Sequence, residues 1–177
     1  QGSVYKFALI SGQRLNEIAG MKRSEITDDK LHGAIWMIPG ERTKNGEPHI
    51  VPLSTLAVQL IADVLDLNET YVFASPRGLD QPVTMGTRDR IRVRKLTEIE
   101  DFTPHDLRRT FRTNVTPLGF AGEIGERVLN HTRQGVEAVY DRYSFMNEKR
   151  DLMEAWARHI EGIVGESGNI VQLKGSA

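Results

Sequence analysis

The sequence predicts an α+β domain that is mainly α, with one small antiparallel β-sheet. Three observations predict it. Apolar residues recur at helical spacing over most of the chain. Strand-like runs are confined to residues 33 to 53, on either side of a Lys44-Asn45-Gly46 turn signal. The length, 177 residues, suits a single domain at a prior of about 150 residues each.

The elements follow in order. Val4 to Ile10 reads as a helix that Gly12 interrupts, and Leu15, Ile18, Ala19 and Met21 mark a second. Ile35, Trp36 and Ile38 form one strand and His49, Ile50 and Val51 another, joined through Gly40 to Gly46. Ser54 can cap a helix whose stripe is Leu56, Leu60, Ile61, Val64 and Leu65. Tyr71 to Phe73 is a short extended piece, and 75 to 82 reads as loop. Thr84 opens a basic helix to about Leu96. Thr103 before Pro104 starts a helix to about Val115, because proline in the first helical position loses no needed hydrogen bond. Helices follow over Gly122 to Leu129, Val136 to Tyr143 and Asn147 to Val164, then a polar tail from Gly165. Tyr5 and Tyr71 sit in apolar contexts that read as core.

Composition narrows the chemistry. There are no cysteines, so disulfides, thiolate nucleophiles and cysteine zinc sites are excluded. The five histidines show no H-x-x-x-H spacing, and no metal or other cofactor is expected. No apolar run approaches about 18 residues, so neither a spanning helix nor a membrane partner is expected. Formal net charge is −1, yet charge segregates: Arg88 to Lys95 carries five basic residues against one acidic. Such a face can meet nucleic-acid phosphates even on a neutral chain.

Several residues could carry chemistry. Arg14 and Glu17 are three apart and can share a helix face, which by itself means no more than a surface ion pair. His105 and Arg108 share a face at the N-terminus of the Pro104 helix, where backbone N–H groups favour an anion. Arginine adds a planar fork for two phosphate oxygens, and histidine a group that moves a proton near neutral pH. Arg109 and Arg112 flank that pair. Lys44 sits at the hairpin tip, either an ordinary turn lysine or an ammonium delivered to a scissile bond. His131 follows a short helix, and Tyr140 lies nine residues on, with Tyr143 as a competitor. Each signal is weak alone; their order within one domain is not.

That order closely resembles the catalytic domain of the tyrosine recombinase (phage integrase) family. The stretches carrying it are Ser11-Gly12-Gln13-Arg14-Leu15-Asn16-Glu17-Ile18, Thr43-Lys44-Asn45-Gly46 through Val51-Pro52-Leu53, Thr103-Pro104-His105-Asp106-Leu107-Arg108-Arg109, Leu129-Asn130-His131-Thr132 and Val139-Tyr140-Asp141-Arg142. The close of the chain, Glu148-Lys149-Arg150 through Trp156-Ala157, looks like integrases of prophages and genomic islands. Gln13, where the family often has an apolar residue, and Asn130, where it commonly has glycine, depart from the pattern without removing a chemical group. Asparagine tolerates the left-handed backbone that such a glycine would adopt.

The resemblance implies a DNA breaking-rejoining fold and assigns roles. Arg14 and Arg108 would clamp the scissile phosphate, His105 and His131 would contact it and assist proton transfer, and Lys44 on a flexible hairpin would be the general acid. Glu17 would orient the hydrogen bonds and Tyr140 would be the nucleophile. Arg88, Arg92, Lys95, Arg109 and Arg112 are expected DNA contacts. The implied reaction is site-specific recombination through a 3′-phosphotyrosine, for integration or excision of a mobile element. Its partners would be double-stranded DNA attachment sites and accessory DNA-bending or directionality proteins. The domain would be a monomer alone and a tetramer on DNA, in the bacterial cytoplasm near the nucleoid. A type IB topoisomerase-like relaxation and a DNA-binding module without catalysis are the competing readings. In domain terms, 4 to 164 is expected to be the catalytic domain, 1 to 3 an expression scar and 165 to 177 a flexible tail, with the family's N-terminal DNA-binding domains expected to be absent from this chain. The final helix, with Leu152, Ala155, Trp156, His159, Ile160 and Ile163 at helical spacing, could dock on a neighbour or pack on its own core.

Overall fold

A computed structural model of the chain describes residues 2–65, 68–75, 78–131 and 145–166. The mainly helical α+β class holds. The helices are α1 (Gly2–Ser11), α2 (Leu15–Ala19), α3 (Thr55–Leu65), α4 (Thr87–Thr97), α5 (Pro104–Asn114), α6 (Gly122–Val128) and α7 (Met146–Glu166). A three-stranded antiparallel sheet, ordered β1 (Ile26–Asp29), β2 (Gly33–Ile38), β3 (His49–Pro52), packs beside them. The β2–β3 register sets Trp36 opposite Val51 and Ile38 opposite His49.

Differences from the sequence reading have local causes. The first strand, β1, reads Ile-Thr-Asp-Asp and lies at the sheet edge half out of solvent contact, so it shows no apolar alternation. The expected loop at 75 to 82 contains a second hairpin, β4 (Ala74–Ser75) and β5 (Gly78–Pro82), whose polar Gly-Leu-Asp-Gln-Pro strand carries no strand signal. The basic helix starts at Thr87 rather than Thr84, because Asp89 turns back to accept the Gly86 N–H at 2.9 Å. Met21 lies beyond α2, and α7 runs through Gly165 and Glu166, two residues into the expected tail. Tyr5 and Tyr71 are half-buried rather than core. The expected helix at Val136 to Tyr143 lies outside the described residues.

Two apolar clusters hold the fold. One joins Val4, Phe7 and Ala8 of α1 to Ile18, Met21, Trp36, Ile38, Val51, Ala57 and Ile61. The other joins Phe111 and Val115 of α5 to Ile124, Val128 and Leu129, and to Leu152, Met153 and Trp156 of α7. Helix α1 lies between them, touching α2, α3, α5 and α7. The final helix therefore packs on its own core for most of its length; only its last turn, at Ile163 and Val164, stays exposed. It also reaches α3, where the Glu154 carboxylate accepts the Thr55 N–H at 2.9 Å and satisfies one free donor of that helix start.

Candidate active site

The site forms where the end of α1, the start of α5 and the end of α6 converge. Gly12 makes this approach possible. Its φ is +68°, and a Cβ there would lie 3.0 Å from the Phe111 ring and 3.1 Å from Leu129. Only glycine adopts that backbone freely and leaves that space. The Gly12 carbonyl consequently faces α5, and Arg108 Nη1 donates to it at 2.9 Å.

Arg108 is 3% exposed, which is unusual for arginine. Its Nη2 donates to the Leu129 carbonyl, while its buried Nε has no partner among the described residues. Burial, and then the neighbouring Arg14 cation, lower its pKa to about 10, against the opposing pull of Glu17 and Glu126. It therefore remains a cation at neutral pH, held in a low-dielectric seat with a donor to spare.

Arg14 is the residue before α2 rather than a member of it. Glu17 folds back, its carboxylate accepting from the Arg14 backbone N–H at 3.2 Å and from Nη1 at 3.1 Å. Glu17 is 3% exposed, so this is no surface ion pair. One buried carboxylate thus faces two guanidinium groups, and the cluster retains an excess positive charge that a bound anion would neutralise.

Around this seat, His105, Arg108, Arg109, Arg112, Thr113, Leu129 and His131 line one open cavity of about 150 Å³. His105 is exposed at the start of α5, where the Asp106 carboxylate accepts from the Thr103 N–H and hydroxyl, both at 2.7 Å. Partial burial, then the Arg109 and Arg108 cations, hold the His105 pKa below its ordinary value, with Asp106 opposing. His105 is therefore neutral at pH 7 and can accept a proton.

His131 is oriented by Glu126, a residue the sequence reading did not single out. Its Nδ1 donates to the Glu126 carboxylate, which leaves Nε2 as the ring nitrogen available to a ligand. The same carboxylate accepts Arg112 Nε. Burial pushes Glu126 up, but the Arg112 and His131 hydrogen bonds outweigh it and hold the carboxyl below its usual range. The acidic residue five positions before His131 was the only signal, and its hydrogen bond with Arg112 crosses from α6 to α5.

Gln13 and His49 also support the site, though neither carries a local sequence signal for that role. Both donate to the Val128 carbonyl, Gln13 Nε2 at 2.8 Å and His49 Nε2 at 2.9 Å, so they pin the end of α6 from the α1–α2 loop and from β3. Desolvation, then the Lys149, Arg108 and Arg14 cations, lower the His49 pKa to about 3 despite the Val128 hydrogen bond. His49 is thus buried neutral. As pH falls, the unfolded chain binds a proton there and the native state does not. Stability from this residue is complete above about pH 6.5 and is lost progressively toward pH 3. We expect denaturant unfolding to show about 2 kcal/mol less stability near pH 5 than near pH 7.5, and His49→Gln to remove that dependence. An unchanged slope in His49→Gln would assign the loss to other groups.

The remaining expected residues are more dispersed. Lys44 is exposed on the β2–β3 turn and does not line the cavity. That turn is tied rather than loose: Thr43 Oγ1 lies 2.9 Å from the Gly40 carbonyl and 2.8 Å from that of Glu47. The freedom of Lys44 is therefore in its side chain, not in the hairpin. Arg88, Arg92 and Lys95 are exposed on α4, a helix with no buried residue, and do not line the cavity. Arg109 is exposed and paired with Asp106 at 3.2 Å. Tyr140 and Tyr143 lie outside the described residues. Among the described residues, no cluster of histidine and acidic side chains could hold a metal ion, and no helix is long and apolar enough to cross a membrane.

The sequence profile of the phage integrase family matches residues 2–146. The chain is 29% identical over 145 residues to prophage integrase IntZ of Escherichia coli K12, covering 78% of this chain and 35% of that protein. It is 27% identical to prophage integrase IntA of the same organism, covering 95% of this chain and 40% of IntA. Tyrosine recombinase XerC of Pelobacter propionicus is 28% identical, over 76% of this chain and 44% of XerC. The chain thus spans less than half the length of these relatives. Among solved structures, the XerH site-specific recombinase bound to its palindromic difH substrate, in a post-cleavage complex, superposes with a TM-score of 0.58 at 17% identity, over 95% of this chain and 44% of that one. The pre-cleavage XerH complex gives 0.59 at 16% identity. At that identity the likeness speaks for the fold.

Proposed function

Since the chain is a tyrosine recombinase domain of the phage integrase family, we propose that it cuts and rejoins DNA by tyrosine transesterification, as the catalytic part of a mobile-element integrase. The observation that carries this reading is the convergence of Arg108, His105 and His131 on one cavity, with Arg14 and Glu17 against Arg108 and an excess of positive charge.

The chemistry follows from those groups. The Tyr140 phenol oxygen forms a bond to the scissile phosphorus, and the bond from phosphorus to the 5′ oxygen breaks. The phenol has a pKa of about 10 and must lose its proton as it attacks. Neutral His105 is suited to accept it. Arg108 and Arg14 stabilise the added negative charge of the phosphorane, and their preorganised seat costs no reorganisation at that moment. His131, fixed through Nδ1, offers Nε2 to a phosphate oxygen. The Lys44 ammonium gives a proton to the leaving 5′ oxygen, which becomes a hydroxyl; such acid catalysis is worth about 10²- to 10⁴-fold. The 3′-phosphotyrosine conserves the bond energy, so a second strand's 5′ hydroxyl can reverse the step without ATP.

Attachment-site DNA is then the substrate, with Arg109 and Arg112 at the cavity rim and Arg88, Arg92 and Lys95 on α4 as phosphate contacts. Assembly to a tetramer, accessory DNA-bending proteins and a bacterial cytoplasmic setting belong to the same proposal. The test is covalent trapping on nicked duplexes of randomised sequence, from which the cleaved fragment diffuses away. A denaturing gel should show a protein–DNA adduct that Tyr140→Phe abolishes and Tyr143→Phe retains. Loss only in Tyr143→Phe would move the nucleophile, and DNA binding without an adduct would favour a non-catalytic module.

A further inference from the structure

The proposed acid, Lys44, does not line the cavity, and its side chain has four rotatable methylenes. Something must bring its backbone into register with the phosphate-binding groups. The residue after it makes that connection. Asn45 Nδ2 donates to Asn130 Oδ1 at 3.1 Å, and Asn130 Nδ2 donates back to Asn45 Oδ1 at 3.3 Å. This reciprocal amide pair joins the β2–β3 turn to the segment after α6 across 85 positions of sequence.

Both ends of the bridge are themselves fixed. On the turn, Asn45 Oδ1 also accepts the Glu47 N–H at 3.3 Å. Gly40 and Gly46 approach so closely that a Cβ on Gly40 would stand 2.3 Å from the Gly46 carbonyl oxygen. At the other end, Asn130 lies between Leu129, whose carbonyl holds Arg108, and His131, whose ring is held by Glu126. Asn130 has φ 50°, a left-handed conformation that asparagine and glycine adopt most readily. Of these two, only asparagine also carries an amide that can donate and accept at once.

We propose that Asn45 and Asn130 are positioning residues: their amide pair latches the Lys44 turn to the Arg108–His131 segment, so that the proton donor and the phosphate clamp move as one unit. Neither side chain touches the reacting atoms. The inference rests on the recombinase reading above, in which Lys44 protonates the leaving 5′ oxygen.

Two readouts test it on the full chain. The first needs no catalysis: the rate of trypsin nicking after Lys44, identified by fragment mass. Asn45→Ala and Asn130→Gly should each raise it severalfold over wild type, since glycine keeps the backbone at 130 and removes only the amide. The second compares adduct formation on nicked duplexes of randomised sequence with an ordinary scissile phosphate and with sulfur in place of the bridging 5′ oxygen. A thiolate, with a pKa of about 8.5, leaves without the proton that an alkoxide needs. Lys44→Ala should lose about 10²-fold or more on the oxygen linkage and recover on sulfur. The two asparagine variants should lose about tenfold on oxygen, for a misplaced acid, and recover likewise. Equal losses on both linkages, or none on oxygen, would overturn a role through Lys44. Unchanged nicking would overturn the latch itself. A wild-type chain that forms no adduct on either linkage would overturn the recombinase reading, and with it any catalytic role for the latch, while the nicking comparison still decides whether the latch exists.

Discussion

Arg108→Ala is expected to reduce single-turnover adduct formation by about 10³-fold or more while leaving DNA affinity within severalfold of wild type. A donor aimed at charge that develops only in the transition state costs about 10²- to 10³-fold when it is removed. Arg108 supplies a positive charge to the cavity it lines, from a buried seat fixed by two backbone carbonyls. Affinity changes little because one of many phosphate contacts is lost. Stability should fall by only about 1–3 kcal/mol. The Gly12 and Leu129 carbonyls lose their donor, which destabilises, but Arg14 loses a like-charged neighbour, which offsets part of that cost. Arg108→Lys keeps the charge without the planar fork. A single ammonium cannot span both carbonyls and a phosphate, so most of the activity should still be lost. Adduct kinetics beside denaturant titrations check this; a proportionate loss of stability and activity would make Arg108 a structural residue.

Trp156→Ala carries the largest expected effect on folding, about 3–5 kcal/mol. Trp156 is 2% exposed and meets Phe111 edge to face with centroids 5.8 Å apart. Its Nε1–H donates at 2.8 Å to the carbonyl of Leu9. That carbonyl belongs to the last turn of α1, where the backbone N–H four residues on, at Gln13, turns instead to the Ser11 hydroxyl. The indole therefore fills a cavity between α5 and α7 and also satisfies an orphan helix-end carbonyl. Against a total stability of about 5–15 kcal/mol, the loss removes from about a fifth to nearly all of what holds the fold. Trp156→Phe should cost about 1–2 kcal/mol, since it keeps an aromatic ring and abandons the hydrogen bond. Urea midpoints for the two variants separate cavity from hydrogen bond, and equal losses would discount the Leu9 contact.

Much of this molecule was legible from its residues in order. The family and the mainly helical α+β class could be read because α1, α3, α5 and α7 carry apolar stripes at helical spacing, and because His-x-x-Arg follows Thr103-Pro104 at a helix start. Such signals are local: they depend on neighbours within four or five positions, which a sequence displays directly. The strands β1, β4 and β5 could not be read, since edge and hairpin strands with polar faces are defined by the partner they pair with. The same limit applies to the site. Gln13 and His49 converge on the Val128 carbonyl across 115 and 79 positions, Arg108 reaches back 96 positions to Gly12, and Asn45 pairs with Asn130 across 85. Which arginine becomes a buried cation, which histidine is held neutral and which is aimed by a carboxylate are questions of desolvation and neighbouring charge. Those are properties of packed space, and only the folding of α1, α5, α6 and β3 against one another decides them.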